Sequence, residues 1–471
     1  MEIIHVSAEC YPVAKAGGLG DVVGALPKYQ CKAGHIAKVV MPMYKTRFLY
    51  TNDWEVDFKG RTNMGDYFFD YTVIKETKNI LGFDLYLIEI KGLTDREKIY
   101  EYPDDTERFT AFQIAVVNWI SHWQHQPDIV HCHDHPTGLI PFMFKNCNDY
   151  RKLRFIPTVM TIHNAQYQGW MPWNKSKYLP AWDNYKWGDL DWNKAINPLA
   201  SAVKCAWKVT TVSWSYLNEL RYNSNGLERL FEYERGKCVG ILNGIDNEVW
   251  NPATDAFIDN NYTSATVMTG KQKNKSLLCQ QFGLKEDVPL IVFIGRLVGE
   301  KAADILPDTI KSILYGMKDK VAFLILGSGD SHVEWQLNNM NGNYPGYFHA
   351  EIGYHEALSH LIYAGADFLL MPSRIEPCGL NQMYAMRYGT IPMVRTTGGL
   401  QDTVTDMGDA EGFGVRFYHA SIGDIYYAVS RALSVFEDKK HISWMRQHMM
   451  QIDHSWESTV EQYLNVYRSI K

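Results

Sequence analysis

The stretch AKAGGLGDVVGALP, residues 14–27, decides the fold because it joins an apolar run to a helix-forming segment through glycines. The apolar run is IIHV, residues 3–6, and Gly18, Gly20 and Gly24 follow it in the pattern G-x-G-x-x-x-G. Glycines between a strand and a helix let backbone N–H groups approach a ligand closely, and the helix N-terminus there favours negative charge. The stretch therefore predicts an α/β unit with an anion at its loop, and leaves the identity of the anion open.

The same alternation of short apolar runs and helical segments continues through both halves of the chain. The predicted strands are 3–6, 38–41, 85–90, 128–132, 158–163 and 208–212, then 290–295, 321–327, 367–371, 391–394 and 414–418. Strands that alternate with helices predict parallel sheets covered on both faces. Because 471 residues exceed what one core usually holds, we expect two doubly wound, Rossmann-like α/β domains.

The boundary between the two domains is marked by turn-forming dipeptides. Asn-Gly and Asn-Pro occur in GILNGIDNEVWNP, residues 240–252, so we place the first domain at 1–245 and the second at 246–455. Segment 456–471 carries apolar residues at i, i+3, i+4 and i+7, which predicts a helix that packs back on the first domain. Ligands bind beyond the carboxyl ends of parallel strands, so we expect the active site in a central cleft that the two domains face.

Composition excludes several classes of function. A formal net charge of −6 provides no basic field for nucleic acid, so we expect no nucleic-acid partner. The N-terminus lacks the features of a signal peptide and no long apolar run is present, which predicts a cytoplasmic protein without a membrane partner. The cysteines are scattered without CxxC pairs, and we interpret them as reduced thiols; they are Cys10, Cys31, Cys132, Cys147, Cys205, Cys238, Cys279 and Cys378.

Two cations follow the predicted strand 290–295 directly. Arg296 and Lys301 lie five residues apart in GRLVGEK. A planar guanidinium and a compact ammonium together suit the oxygens of a diphosphate. The alternative interpretation is a solvated basic loop.

A carboxylate and a glycine pair follow later strands of the second half. Glu376 lies just beyond strand 367–371, and Gly398 and Gly399 precede a helix start. A carboxylate at a strand end can hold sugar hydroxyls, and glycines at a helix start offer backbone N–H donors to an anion. The carboxylate and the glycines together therefore favour a nucleotide sugar as the ligand. Cys378 has no activating neighbour, and we interpret it as a packing or substrate-contact residue rather than a nucleophile.

Three further patterns have a structural interpretation and a chemical one. His163 ends a strand in TIHNAQYQG, and a lone histidine is more often structural than catalytic. HCHDH, residues 131–135, invites a metal site, but this spacing on one strand is not a recognised closed site, and Asp134 is instead a candidate substrate contact. DLD, residues 189–191, lies in an aromatic insertion-like stretch rather than after a strand, so we reject a metal role there.

Taken in order, the motifs resemble those of bacterial glycogen synthases and plant starch synthases over essentially the whole chain. The stretches that carry the resemblance include KAGGLGDVVGALP, HDHPTGLIP, TIHNAQYQG, TVSWSYLNEL, ILNGID, IGRLVGEK, LGSGD, GYHEALSHLIYAGADFLLMPSRIEPCGL and YGTIPMVRTTGGLQDTV. The resemblance implies a two-domain GT-B fold and retaining transfer of glucose from ADP-glucose to the non-reducing 4-hydroxyl end of an α-1,4-glucan. It also implies a nucleotide sugar and a glucan as partners, no cofactor and no divalent metal.

The resemblance also implies roles for individual residues. It places in catalysis His163, Arg296, Lys301 and Glu376. It places at the donor Lys15, Gly17, Gly18, Asp21, Asn243, Arg296, Lys301, Tyr354, Cys378, Gly379, Leu380, Thr397, Gly398 and Gly399. It places at the acceptor Asp134, His163, Asn164 and Tyr167.

Departures from the family pattern leave the acceptor contacts and the preferred glucan length open. His135 stands where relatives usually have tryptophan, Asn197-Pro-Leu-Ala-Ser-Ala202 replaces Asn-Phe-Leu-Lys-Gly-Gly, and Ala302 replaces a glycine. UDP-glucose as donor, or a small acceptor, is the closest alternative.

Two alternatives belong to other classes of protein. An NAD(P)-dependent oxidoreductase would need an acid or a base for the ribose after strand 38–41, where the chain reads Met41-Pro-Met-Tyr. A non-catalytic glucan-binding protein is favoured only by the five tryptophans within residues 170–192.

Overall fold

The structure is a computed structural model that describes residues 1–471, and the chain divides into two compact units. Unit 1 comprises Met1–Leu242 and Trp456–Lys471, and unit 2 comprises Asn243–Ser455. No helix in either unit combines the length and the apolar character needed to cross a membrane.

Unit 1 is built on a nine-stranded sheet with the order β11-β10-β7-β6-β1-β2-β5-β4-β3. Its strands, together with the small β8–β9 pair, are β1 Glu2–Val6, β2 Ile36–Pro42, β3 Trp54–Met64, β4 Tyr67–Glu76, β5 Asp84–Glu89, β6 Ile129–His133, β7 Thr158–Ile162, β8 Asp191–Trp192, β9 Ala195–Ile196, β10 Lys208–Thr211 and β11 Cys238–Gly240. The strands from β11 to β5 run parallel, and β4 and β3 continue the sheet antiparallel. The strand order reverses between β1 and β6, which are hydrogen-bonded neighbours.

Unit 2 contains one parallel sheet of six strands with the order β14-β13-β12-β15-β16-β17. The strands are β12 Leu290–Ile294, β13 Ala322–Gly327, β14 Phe348–Ile352, β15 Phe368–Met371, β16 Ile391–Arg395 and β17 Val415–Phe417. Counted from β12, this is the 3-2-1-4-5-6 order of a Rossmann-type doubly wound sheet. The order reverses between β12 and β15, where Ile291 pairs with Phe368.

The α-helices connect these strands in the alternation that the sequence predicts. They are α1 Gly18–Lys32, α2 Arg47–Thr51, α3 Asp105–Ser121, α4 Ile140–Asn146, α5 Pro198–Cys205, α6 Trp214–Leu220, α7 Glu228–Tyr233, α8 Val267–Phe282, α9 Leu306–Gly316, α10 Ser331–Met340, α11 Glu356–Gly365, α12 Asn381–Arg387, α13 Gly398–Thr403, α14 Ile422–Glu437, α15 Lys439–Met449 and α16 Trp456–Arg468. The last of them, α16, buries Val460, Tyr463 and Tyr467 in a cluster with Ile3 of β1 and Val22 of α1. Helix α16 is therefore part of the core of unit 1.

Every predicted strand overlaps a strand of the structure, and the doubly wound α/β class is confirmed. The long hairpin of β3 and β4 was not predicted from the sequence. Most side chains of β3 are exposed or only partly buried, and the alternation along it is interrupted by a register shift between Val56 and Phe58. A weakly buried, irregular strand shows little of the alternation between apolar and polar residues by which strands are predicted.

Candidate active site

In unit 2, the predicted donor residues lie where the strand order of the sheet reverses. Arg296 and Lys301 follow β12, and Glu376 follows the neighbouring strand β15. In doubly wound sheets this crevice, beyond the carboxyl ends of the two central strands, is where ligands bind. The position of these three side chains thus marks the expected ligand site of the unit.

An ion pair joins Lys301 to Glu376. The Lys301 ammonium donates to Glu376 Oε2 over 2.5 Å, and the Ser373 hydroxyl donates to the same oxygen over 2.9 Å. Glu376 is buried, while the Lys301 side chain keeps 23% of its surface exposed. The ammonium therefore neutralises a buried carboxylate and still presents part of its surface to a ligand.

Arg296 remains more accessible than Lys301. Its side chain is 59% exposed, and its only ion pair is a long contact of 3.4 Å with Glu300. The backbone carbonyl of Glu300 in turn accepts from the N–H groups of Arg374 and Ile375, which ties the cation loop to the loop after β15. The two loops are thus held together by backbone contacts as well as by the ion pair.

The glycine pair at the start of α13 packs directly on the Glu376 loop. Gly399 N–H donates to the carbonyls of Glu376 and Pro377, both over 3.1 Å. A Cβ atom at Gly398 would lie 2.1 Å from the Glu376 carbonyl oxygen, and one at Gly399 would lie 2.0 Å from the Cys378 carbonyl oxygen. The Gly399 N–H is already hydrogen-bonded within the protein. The role of these two glycines here is therefore to let the start of α13 approach the backbone of the Glu376 loop closely.

Several other predicted donor residues surround this loop. Burial raises the pKa of the Cys378 thiol to about 12, so the side chain is a neutral thiol and not an activated nucleophile. Asn243 is buried, and its Oδ1 has no hydrogen-bond partner. Thr397 is buried before α13, and Gly379 has a φ of +75°. Leu380 precedes α12.

Tyr354 is placed differently from the other predicted donor residues. It follows β14, two strands away from β12 in the sheet, and its side chain is 75% exposed.

In unit 1, the glycine loop already contains a protein carboxylate. Glu9 Oε2 accepts from the N–H groups of Ala16 and Gly17 over 2.6 and 2.9 Å, and Oε1 accepts from the Tyr100 hydroxyl over 2.8 Å. The anion that the loop pattern predicts is therefore partly supplied by the chain itself. Around Gly17 and Gly18 a Cβ atom would meet nothing within 4 Å, which leaves open space beside them.

The remaining polar side chains of the loop form an ion pair. Lys15 Nζ lies 2.7 Å from Asp21 Oδ1 in the first turn of α1. Burial raises the pKa of Asp21, and the charge of Lys15 partly opposes that shift. Gly24 has a packing role, because a Cβ atom there would lie 2.5 Å from the Tyr11 carbonyl oxygen.

The predicted acceptor residues gather at the ends of β6 and β7. Asp134 Oδ1 accepts from the backbone N–H of His163 over 2.7 Å, and the Asn164 side chain accepts from the N–H of Gln166. Burial lowers the pKa of His163 to about 3, so the imidazole is neutral at pH 7. Tyr167 is exposed beside them.

The pKa of Asp134 also lies far from its ordinary value. Burial raises its pKa to about 7 against hydrogen bonds from the His163 and Asn164 backbone, and the charge of Glu9 raises it further. Its backbone has a φ of +55°, in the left-handed region that few non-glycine residues adopt. Strain and a raised pKa in one carboxylate are typical of functional positions.

The raised pKa of Asp134 predicts a measurable pH dependence of stability. Between about pH 4 and pH 7 the folded protein holds a proton on Asp134 that the unfolded chain has lost, so this group lowers the free energy of unfolding as pH rises through that window. In Asp134→Asn this contribution should disappear. Urea unfolding at pH 5, 6, 7 and 8 should therefore show a smaller decrease for the variant than for the wild type.

The matched control is Asp70→Asn, whose side chain is 79% exposed. It should follow the wild-type profile. Parallel profiles for wild type and Asp134→Asn would contradict the raised pKa.

The two rejected metal patterns have different outcomes. Asp189 contacts Lys145 and Asn146, and Asp191 accepts from the Trp173 indole, so hydrogen bonds and an ion pair to protein groups account for both carboxylates. HCHDH, by contrast, has a third histidine nearby in space, which the spacing along one strand does not reveal. His5 of β1 brings its ring beside His131 and His133 of the adjacent strand β6.

Sequence reasoning missed residues that position the site without an obvious motif. Glu9 organises the glycine loop, Ser373 and Arg374 hold the Glu376 loop, and His133 contacts His163. For Glu9 a signal existed, since a carboxylate three residues beyond the end of an apolar strand is unusual unless it has partners. The other contacts depend on which strands become neighbours.

Comparison with known proteins places this architecture in a family. A family model described as "Starch synthase catalytic domain" matches residues 2–233, and one described as "Glycosyl transferases group 1" matches residues 274–434. A curated glycogen synthase of Flavobacterium johnsoniae is 52% identical over 470 residues, which cover 100% of this chain and 99% of the relative. The chain belongs to the glycogen synthase family of glycosyltransferases.

Other relatives agree with this membership. A glycogen synthase of Geobacillus stearothermophilus is 36% identical over 484 residues, covering 100% of this chain and 98% of its own. The solved catalytic domain of starch synthase IV from Arabidopsis thaliana, bound to ADP and acarbose, is 31% identical with a TM-score of 0.89 and covers 100% of this chain and 99% of that one. A sucrose-phosphate synthase from Thermosynechococcus elongatus, at 16% identity and a TM-score of 0.65 with 100% and 98% coverage, shares the fold.

These comparisons confirm several predictions made from the sequence. The GT-B class and the glycosyltransferase activity are confirmed, and the oxidoreductase and non-catalytic alternatives fall away. The comparisons support nucleotide sugars and glucans as the substrate classes of this family.

Proposed function

We propose that this glycogen synthase family member transfers glucose from ADP-glucose to the non-reducing 4-hydroxyl of an α-1,4-glucan, with retention at the anomeric carbon and release of ADP. The observation that carries the proposal is the cluster of Arg296, Lys301 and Glu376 where the unit 2 strand order reverses, in a fold shared with a starch synthase bound to ADP. A diphosphate and a sugar are the groups that two cations beside a carboxylate suit.

Unit 2 is assigned the nucleotide sugar and unit 1 the glucan acceptor. Arg296 and Lys301 would contact the diphosphate oxygens, with the backbone around Thr397 and Gly398 close by. As the C1–O bond breaks, negative charge accumulates on the departing diphosphate, and fixed cations stabilise that charge more in the transition state than in the ground state. The cations therefore act on kcat as well as on binding.

The remaining donor contacts orient the sugar and the loops around it. Glu376 would hold sugar hydroxyls while it keeps Lys301 in place. From unit 1, Lys15, Gly17, Gly18 and Asp21 would meet the donor. The family resemblance implies donor-binding roles for six further residues, which are Asn243, Tyr354, Cys378, Gly379, Leu380 and Gly399.

The transfer step balances without a covalent enzyme intermediate. The acceptor 4-hydroxyl attacks C1 from the face that the leaving group vacates, the C1–O bond to the diphosphate breaks, and a diphosphate oxygen takes the hydroxyl proton. His163 would lie near the glucosyl unit. Its imidazole is neutral, because burial holds the pKa of the ring at about 3. Asp134, Asn164 and Tyr167 would contact the acceptor.

The test is a comparison of initial rates. Purified protein without added divalent metal is given ADP-glucose or UDP-glucose with glycogen, and nucleoside diphosphate release is followed. We expect faster release of ADP than of UDP and incorporation of glucose into glycogen. Equal or greater rates with UDP-glucose would overturn the donor assignment, and no release with either donor would overturn the proposed function.

The tryptophans between residues 170 and 192 allow a second prediction about the acceptor. Trp170 and Trp187 are exposed, whereas Trp173 donates to Asp191 and Trp182 packs edge-on against Phe142. Exposed aromatic faces can stack on sugar rings. We therefore expect Trp170→Ala and Trp187→Ala to raise the KM for glycogen and leave the KM for the nucleotide sugar unchanged, because such contacts bind ground and transition states alike.

Trp173→Ala and Trp182→Ala serve as the structural comparison. These variants should lower the melting temperature through lost packing. If the two exposed variants leave the KM for glycogen unchanged, stacking on the acceptor is ruled out for them.

A further inference from the structure

A continuous chain of buried hydrogen bonds ends at His163. Gln30 Oε1 lies 2.8 Å from His5 Nε2, His5 Nδ1 lies 3.0 Å from His133 Nε2, and His133 Nδ1 lies 3.0 Å from His163 Nε2. Gln30, His5 and His133 are completely buried. The chain uses Nε2 of His163, so Nδ1 is the ring nitrogen left for a ligand.

The three rings of this chain are neutral. Burial lowers the pKa of His5 to about 4 and that of His163 to about 3, and it lowers the pKa of His133 well below its usual value. A neutral imidazole carries one proton, so a ring that donates from one nitrogen must accept at the other. The direction of the first hydrogen bond therefore sets the tautomer of every ring along the chain.

The end of the chain at Gln30 gives that direction. The Gln30 side-chain nitrogen donates to the Tyr467 hydroxyl over 3.2 Å, and Tyr467 lies 2.7 Å from His131 Nδ1. When Tyr467 gives its single proton to His131, its oxygen accepts from the Gln30 amide, and Gln30 presents its carbonyl to His5. His5 then donates from Nε2 to Gln30 and accepts at Nδ1 from His133 Nε2. In the same way, His133 accepts at Nδ1 from His163 Nε2.

We propose that Gln30, His5 and His133 form a positioning relay that fixes His163 as the Nε2–H tautomer, so that His163 Nδ1 accepts a hydrogen bond from a sugar hydroxyl. The inference rests on the proposed function, which places His163 beside the glucosyl unit. His5 and His133 are positioning residues in this scheme, because they act through His163. The ring of His163 thereby selects a substrate group that can donate a hydrogen bond.

The same histidines have a second chemical interpretation, as a metal site. Nitrogen atoms of His5, His131 and His133 lie within 4.8 Å of one another. Hydrogen bonding nevertheless accounts for all six ring nitrogens, since His131 Nε2 contacts Thr161 over 2.5 Å and the other five are bonded as described above. A metal ion would have to replace several of these bonds, so the geometry favours the relay.

A pair of variants at His5 isolates the hydrogen bond from the packing. In His5→Asn the amide oxygen can take the place of Nδ1 and accept from His133, whereas His5→Leu has similar bulk and cannot accept. Ile4→Val is the control, because Ile4 is the completely buried neighbour of His5 in β1 and its side chain takes no part in the chain of hydrogen bonds. Gln30→Leu breaks the chain at its far end and replaces His5→Leu if that variant does not fold.

The first measurement is the tautomer of His163, read from nitrogen NMR shifts of protein labelled with ring-¹⁵N histidine. The His163 signals are assigned by their loss in His163→Gln. We expect a protonated Nε2 and an unprotonated Nδ1 in the wild type, His5→Asn and Ile4→Val. In His5→Leu the two shifts should move towards each other as both tautomers become populated.

The second measurement is the rate of glucosyl transfer. We expect His5→Leu to lower kcat roughly tenfold, as when one substrate hydrogen bond loses its partner, with near-normal rates in His5→Asn and Ile4→Val. The relay is overturned by a protonated Nδ1 in the wild type, by unchanged His163 shifts in His5→Leu, or by one equivalent of bound metal in the purified protein. Expected shifts in a protein that transfers no glucose would instead retain the relay and remove the proposed function.

Discussion

Lys301→Ala and Arg296→Ala should each lower kcat by about two orders of magnitude or more. Loss of one preorganised group that stabilises developing negative charge typically costs about 2.7–4 kcal/mol of transition-state stabilisation. Both side chains follow β12 at the point where ligands bind in doubly wound sheets. The measurement is steady-state ADP release from ADP-glucose with saturating glycogen.

The two variants should differ in stability. Lys301→Ala leaves the buried Glu376 carboxylate without its ion pair, so its melting temperature should fall, whereas Arg296 is mostly exposed and its removal should leave the melt unchanged. Adding Glu376→Gln to Lys301→Ala should recover stability without recovering turnover. Lys311→Ala, which removes an exposed lysine of α9, is the control. Near-normal turnover in both single variants would refute diphosphate neutralisation.

The fold was predictable because its central strands are continuous apolar runs. LIVFI of β12 and FLLM of β15 are buried almost throughout, as parallel strands covered on both faces require. Three of the four edge strands of the two large sheets, β3, β11 and β14, were not predicted from the sequence, whereas the edge strand β17 was. β14, with the mixed sequence FHAEI, is only partly buried, and β3 is mostly exposed, so neither shows the pattern of a core strand.

The candidate site was predictable where function and strand ends coincide in the sequence. Arg296 follows one apolar run directly and Glu376 lies five residues beyond the end of another, and the rule for parallel sheets brings such positions together. His5 and Gln30 offered no such signal, because their contacts to His133 and Tyr467 span 128 and 437 residues of sequence. These contacts depend on β1 pairing with β6 and on α16 packing against α1, which no local pattern specifies.

The glycine pair before α13 gives the second large effect. A Cβ atom in Gly399→Ala would lie 2.0 Å from the Cys378 carbonyl oxygen, so the backbone of the Glu376 loop must move by about 1 Å to restore van der Waals contact. A displacement of that size at a catalytic loop can cost about 100-fold in rate. We expect a comparable loss of kcat, together with a lower melting temperature.

Gly423→Ala separates this steric effect from the general effect of replacing a helical glycine. Gly423 lies in the first turn of α14, and a Cβ atom there would meet nothing within 4 Å, so alanine should leave turnover unchanged and stabilise the helix slightly. Gly398→Ala should resemble Gly399→Ala, because a Cβ atom at position 398 would lie 2.1 Å from the Glu376 carbonyl oxygen. The φ of +44° at Gly398 would add backbone strain to this steric contact. Wild-type kcat in Gly399→Ala would mean that the Glu376 loop tolerates displacement, and Glu376 would then have no orienting role in the transfer.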